Sequence, residues 1–141
     1  MKISVTSGVE LVEVNDNGDT IAFKVSDAEF ERGIAQLAQW AGTVRSKNDE
    51  IQARIKSAEV GDNEYYNALV ELVELPEEAV GMIKALFGDD VCVKVFGTET
   101  PDIMAITDFI SQAASVYAEL SRQITKERRE SIGKYSRSRG V

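Results

Sequence analysis

The stretch Ser26-Asp27-Ala28-Glu29-Phe30-Glu31-Arg32-Gly33-Ile34-Ala35-Gln36-Leu37-Ala38-Gln39-Trp40-Ala41-Gly42-Thr43-Val44-Arg45-Ser46-Lys47-Asn48-Asp49-Glu50-Ile51-Gln52-Ala53-Arg54-Ile55 decides the fold. Phe30, Ile34, Leu37, Ala41, Val44, Asn48, Ile51 and Ile55 follow one another at alternating spacings of four and three. That spacing puts them on one stripe of a long helix, the heptad seam of helices that pack lengthwise. Ser26-Asp27-Ala28-Glu29 fits a capping box, in which Ser26 accepts from the Glu29 N–H and Glu29 reaches back. The polar Asn48 interrupts the seam, a device that fixes register or oligomeric state. Two arrangements satisfy such a helix: packing on its own domain, or pairing with a second copy. Gly33 and Gly42 weaken it by about 1 kcal/mol each relative to alanine, and allow close helix approach. Trp40-Ala41-Gly42 lies inside the continuous heptad, so Trp40 is read as a helical residue beside the seam. The helix is expected to end near Gly61, with Asp62 opening the next.

Upstream, Val9–Val14 and Thr20–Val25 read as strands, the second placing Ile21, Phe23 and Val25 on one face. Asn15-Asp16-Asn17-Gly18-Asp19 between them carries an Asn-Gly pair suited to the positive φ angles of a hairpin turn. The same residues resemble part of a calcium loop, but the distal bidentate glutamate is missing and turn chemistry accounts for them better. A lone hairpin is marginal in water, so it must pack on the helices or pair with another chain.

Downstream, two shorter helices are expected between Asn63 and Phe87. Tyr66, Leu69, Val70 and Val73 form the apolar face of the first; Val80, Ile83, Leu86 and Phe87 form that of the second. Pro76 suits a first helical position, Glu77 and Glu78 suit a helix N-terminus, and Gly88 suits a C-terminal cap. Asp89–Phe96 is ambiguous: Val91, Val93 and Val95 alternate as in a strand, yet a short helix would also bury Val91, Cys92 and Val95. Thr100-Pro101-Asp102 marks a helix start with Thr100 as cap. The last helix repeats the heptad through Ile103, Ile106, Ile110, Ala113, Tyr117, Leu120 and Ile124, which predicts antiparallel packing on the first. The expected fold is mostly α (α+β): an N-terminal β-hairpin followed by a bundle of about four helices, two of them long. Residues 1–121 form one domain (hairpin 1–25, helical part 26–121). Residues 122–141 are expected to finish the last helix and end as a basic, disordered tail, disordered over Ser131–Val141.

Composition narrows the function. The chain has 141 residues and a net charge of −8. Arg122, Lys126, Arg128, Arg129, Lys134, Arg137 and Arg139 against Glu127 and Glu130 give residues 122–141 a charge of +5, leaving −13 for the rest. An acidic body repels nucleic acid and anionic lipid, while the basic end suits an acidic partner, RNA or a neighbouring copy. Mean hydropathy is −0.19 and no apolar run approaches bilayer length, so no membrane association is expected. The N-terminus shows no signal-peptide pattern, and Cys92 is the single cysteine; both suit a cytoplasmic location.

Histidine is absent, which removes the commonest general base, the histidine-dependent triads and the ordinary zinc sites. Cys92 sits in an apolar run where a thiol is buried rather than activated. No phosphate-cradling glycine motif occurs. The expectation is a non-enzymatic protein with no metal or cofactor, acting by binding another protein. Trp40, Phe87 and Phe96 are the candidate partner contacts, on size and edge position, and Asn48 marks an oligomer seam.

Leu86-Phe87-Gly88-Asp89-Asp90-Val91-Cys92-Val93-Lys94-Val95-Phe96-Gly97, then Thr100-Pro101-Asp102-Ile103-Met104 and a helix through Ile106-Thr107-Asp108-Phe109-Ile110, resembles a region of bacteriophage tail assembly chaperones. The hairpin and long-helix order of Val9–Ala58 is also similar to that group. The resemblance implies a cytoplasmic protein of phages and prophages that coats the long, apolar, helical tape measure protein until tail tube subunits replace it. It also implies a short form of a frameshifted pair, with Ser131–Val141 near the junction. Two other classes stay open: a structural phage head–tail or tail subunit, and a basic-tailed nucleic-acid-binding regulator.

Overall fold

The computed structural model describes residue 3 and residues 8–139, with side chains through residue 130. Strands β1 (Val9–Glu13) and β2 (Thr20–Lys24) form an antiparallel hairpin. Helices α1 (Ala28–Ser57), α2 (Asn63–Glu74), α3 (Glu77–Phe87), α4 (Val91–Phe96) and α5 (Ile103–Arg139) follow. The expected mostly helical α+β fold is observed, with α4 as a six-residue helix beside the four longer ones.

Register explains which hairpin residues turn inward. Val12 faces Ile21 and Glu10 faces Phe23, on the side where Ile21 and Phe23 are buried. Val9 and Leu11 point the other way and stay exposed, as a period of two requires. The turn uses only part of the expected Asn-Gly geometry. Gly18 alone has a positive φ, +83°, and Asn17 does not. The Asn15 side chain replaces that geometry, its Oδ1 accepting from the N–H of Asn17 (2.9 Å) and of Asp19 (3.2 Å).

The start of α1 is also corrected. Asp27, not Ser26, is the cap: its Oδ1 accepts from the N–H of Glu29 (2.8 Å) and of Phe30 (3.2 Å). A carboxylate one residue later meets the same unpaired N–H groups and favours the positive helix end. Ser26 instead accepts from Arg128 Nη2 at 2.7 Å. The helix closes earlier than expected, at Ser57, and Gly61 (φ +97°) lies in the loop before Asp62 caps α2.

Buried Phe30, Ile34, Leu37, Val44 and Ile51 confirm the α1 seam. Phe30 approaches Tyr117 and Ser26 meets Arg128, whereas Val44 and Asn48 share a groove with Ile103 and Met104. The two long helices therefore run antiparallel. Their common core gathers Ile21 and Phe23 from the hairpin, Ile83 from α3, Val91 and Cys92 from α4, and Ile106 and Ile110 from α5. Phe23, Phe30, Phe87 and Phe109 meet edge to face at its centre.

Asp89–Phe96 resolves as turn and helix, burying Val91 and Cys92 and exposing Val93. A strand would have put Val91 and Val93 on one side and Cys92 on the other, whereas burial of the adjacent Val91 and Cys92 with Val93 exposed is the pattern of a helix. Lys94 ties α4 to the hairpin, its Nζ donating to the Thr20 carbonyl (3.2 Å) while its own carbonyl accepts from Asn15 Nδ2 (3.0 Å).

The start of α5 is corrected as well. Asp102 caps it, accepting from the Ala105 N–H at 2.8 Å, and Pro101 is buried just before the helix. The helix is continuous from Ile103 to Arg139. Lysine and arginine are good helix formers and favour the negative C-terminal end, so loss of apolar periodicity alone does not end a helix. Residues 140 and 141 lie outside the described residues.

Candidate partner-binding surface

The three aromatic candidates are half-buried and packed on the domain's own core. Phe87 contacts the rings of Phe23, Phe30 and Phe109, and Phe96 lies 5.5 Å from Phe109 between ring centroids. Trp40 packs beside Leu37 and Ala41 at the edge of the seam. Their size made them visible in the sequence; their apolar area is committed largely to folding. Asn48 is half-buried and lines the grooves between α1 and the start of α5.

Besides Val9 and Leu11 on the hairpin, Val60 and Val93, exposed large apolar side chains stand on α2 and at the start of α5. The sequence pattern chose Tyr66, Leu69, Val70 and Val73 as the inward face of α2. Only Leu69 of these is half-buried; Tyr66, Val70 and Val73 are each more than half exposed and Met104 is three-quarters exposed. The face that packs on α1 is instead Tyr65, Ala68, Leu69 and Leu72, with Ala68 fully buried. A small alanine lets the two backbones approach, so it wins the interface although larger side chains are available on the opposite face. α2 carries more apolar residues than one buried face uses, and that surplus was the signal in the sequence.

Between α1, the α2–α3 corner and the first turn of α5 runs a groove of about 670 Å³. Leu72, Val73, Pro76, Val80, Ile103 and Met104 give it apolar walls, Asn48 and Gln52 contribute amides, and Glu77, Glu99 and Asp102 stand at its rim. Arg54 and Glu71 form an ion pair that fastens α2 to α1 beside it. Lys84 pairs with Glu99 at 2.9 Å, which raises the lysine above its ordinary range through that hydrogen bond and charge. An open trough with apolar walls and carboxylates at the edge can hold an amphipathic helix.

Among the described residues no group of three or more cysteine, aspartate or glutamate side chains is placed to hold a metal ion. Cys92 is fully buried, and burial pushes its thiol up, away from the nucleophilic thiolate. Asp90, the nearest carboxylate pairing of note, is engaged by Lys94 at 3.0 Å, whose hydrogen bond holds it below the usual carboxylate range. No helix among the described residues is long and apolar enough to cross a membrane.

Comparison with protein-family models, with curated proteins and with solved structures gives no match.

Proposed function

We propose that this chain is a non-enzymatic protein-binding protein of the tail assembly chaperone kind, which holds the helical tape measure protein in solution in the host cytoplasm. The observation that carries it is the apolar groove at Leu72, Val73, Pro76, Val80, Ile103 and Met104. An apolar trough that the fold leaves uncovered on an otherwise acidic body marks a place for a partner. A ridge of apolar side chains on a client helix fits its walls, and the acidic body keeps the complex from self-aggregating. Many copies along one long client need only modest affinity each. The resemblance of Leu86–Gly97 and the segments after it to tail assembly chaperones supplies the client's identity.

Co-expression with a phage tape measure protein tests this reading. Soluble yield of the tape measure fragment rises with this chain and falls back when Val73→Glu and Met104→Glu charge the groove. Unchanged yield in both cases rejects it. The two-stranded hairpin, in which each strand pairs with one neighbour only, favours a second reading, a structural tail subunit that pairs strands with its neighbours. Purified virions containing the protein would decide for that reading.

A further inference from the structure

Two unbalanced charge runs lie at opposite ends of this molecule, one acidic on and around α2 and one basic at the end of α5. From Ser57 to Ile83 the chain has seven acidic residues, Glu59, Asp62, Glu64, Glu71, Glu74, Glu77 and Glu78, and no lysine or arginine. All seven are exposed, and among the described ion pairs only Glu71 has a cationic partner. The basic residues from Arg122 to Arg139 occupy the end of α5, with Lys126, Arg128 and Arg129 exposed.

Geometry keeps these two regions apart within one molecule. The Arg54–Glu71 pair fixes the acidic α2 at the C-terminal end of α1, and the contact between Arg128 and Ser26 fixes the basic helix at the other end. From Ala28 to Arg54 α1 rises about 39 Å at 1.5 Å per residue. Past Arg128, α5 runs on for eleven residues, about 16 Å, in the direction leading away from α2. The basic end cannot fold back onto its own acidic face.

We propose that a second copy of this chain supplies the missing contact: the basic end of α5 in one molecule docks head to tail on the outward face of α2 in the next. That face presents the exposed apolar pair Tyr66 and Val70 between carboxylates, and the apolar stems of lysine and arginine cover such a pair while their charges reach the rim. Charge complementarity selects this occupant, since the chain itself carries the opposite charge on a projecting helix. A head-to-tail contact is heterologous, so it closes into a ring or grows into an open array. Either product lines up successive grooves along an extended client, although self-association here stands independently of any client.

Sedimentation velocity on the protein alone tests it, at about 20 mM and about 0.5 M salt, where the screening length drops from roughly 20 Å to roughly 4 Å. Association at low salt that dissociates at high salt is the expected result. Reversing the basic end (Lys126→Glu with Arg129→Glu) or the acidic face (Glu74→Lys with Glu78→Lys) weakens association about tenfold or more. Mixing the two reversed proteins, or combining all four substitutions in one chain, restores it. A species that stays monomeric at low salt and high concentration overturns the proposal and gives the acidic face to a different, basic partner. So does association indifferent to salt and to both reversals. Circular dichroism of each variant separates lost contact from lost fold, and the salt titration of the unmodified protein decides the matter should a variant fail to fold.

Discussion

The ring of Phe87 meets that of Phe30 edge to face, with centroids 5.4 Å apart and planes at 88°. This contact joins the end of α3 to the start of α1 and closes the aromatic cluster over Phe23 and Phe109. Phe87→Ala removes three aromatic contacts at once. Chemical denaturation is expected to show a loss of about 3 kcal/mol, near the lower end for a phenylalanine because the ring is half-buried.

The cap of α1 separates two neighbouring residues cleanly. Asp27→Ala leaves the N–H groups of Glu29 and Phe30 without their acceptor and costs about 1 kcal/mol. Ser26→Ala loses only an exposed hydrogen bond from Arg128 and stays within about 0.5 kcal/mol of the original. Thermal melts of the two variants side by side read the difference, and equal losses would return the cap to Ser26.

Two glycines of α1 should respond differently to the same substitution. A methyl group at Gly42 meets nothing, so Gly42→Ala stabilises the helix by about 0.5–1 kcal/mol. At Gly33 the same methyl would overlap the Leu86 side chain, where α3 crosses close to α1. Gly33→Ala must push the end of the Leu86 side chain aside, so its helix gain of about 1 kcal/mol is largely cancelled, and Leu86→Ala in the same chain is expected to cost less than it does alone. Denaturation of the four proteins of that cycle gives the coupling.

Burial pushes both the Cys92 thiol and the Tyr117 phenol above their ordinary values, and Glu31 adds to the effect at Tyr117. Each therefore holds its proton to higher pH in the folded chain than in the unfolded one. The stability they contribute is complete below the ordinary thiol value of about 8.5 and is lost as pH rises through the raised folded values. Urea midpoints should fall across that alkaline range, and less steeply in Cys92→Ala. Iodoacetamide at mildly alkaline pH should leave native Cys92 unmodified and label it once the chain is denatured.

The architecture was legible in the sequence because its strongest signals are periodic and local. The heptads of α1 and α5 and the hairpin around Asn15–Asp19 each announce an element within a short window. Asp89–Phe96 was not legible, because so short an apolar-rich stretch satisfies a strand and a short helix equally, and the helix is distinguished only by the burial of Val91 and Cys92 together. The caps moved by one or two residues, Ser26 to Asp27 and Thr100 to Asp102, since several side chains in each stretch can accept the same N–H groups. The partner surface was the least legible part. Pattern names which residues of α2 are apolar, but not that Ala68 rather than Val70 would take the interface with α1. The same bias toward large side chains pointed to Phe87 and Phe96, whose size is what draws them into the core.

The groove at Val73 and Met104 is the central claim, and fluorescence anisotropy of a labelled amphipathic helix from the tape measure protein tests it most directly. Saturable binding is predicted, weakened at least about tenfold by Val73→Glu with Met104→Glu and unaffected by Leu11→Glu on the outer face of the hairpin. No binding at any concentration, or equal binding by the groove variant in its folded state, would contradict the account.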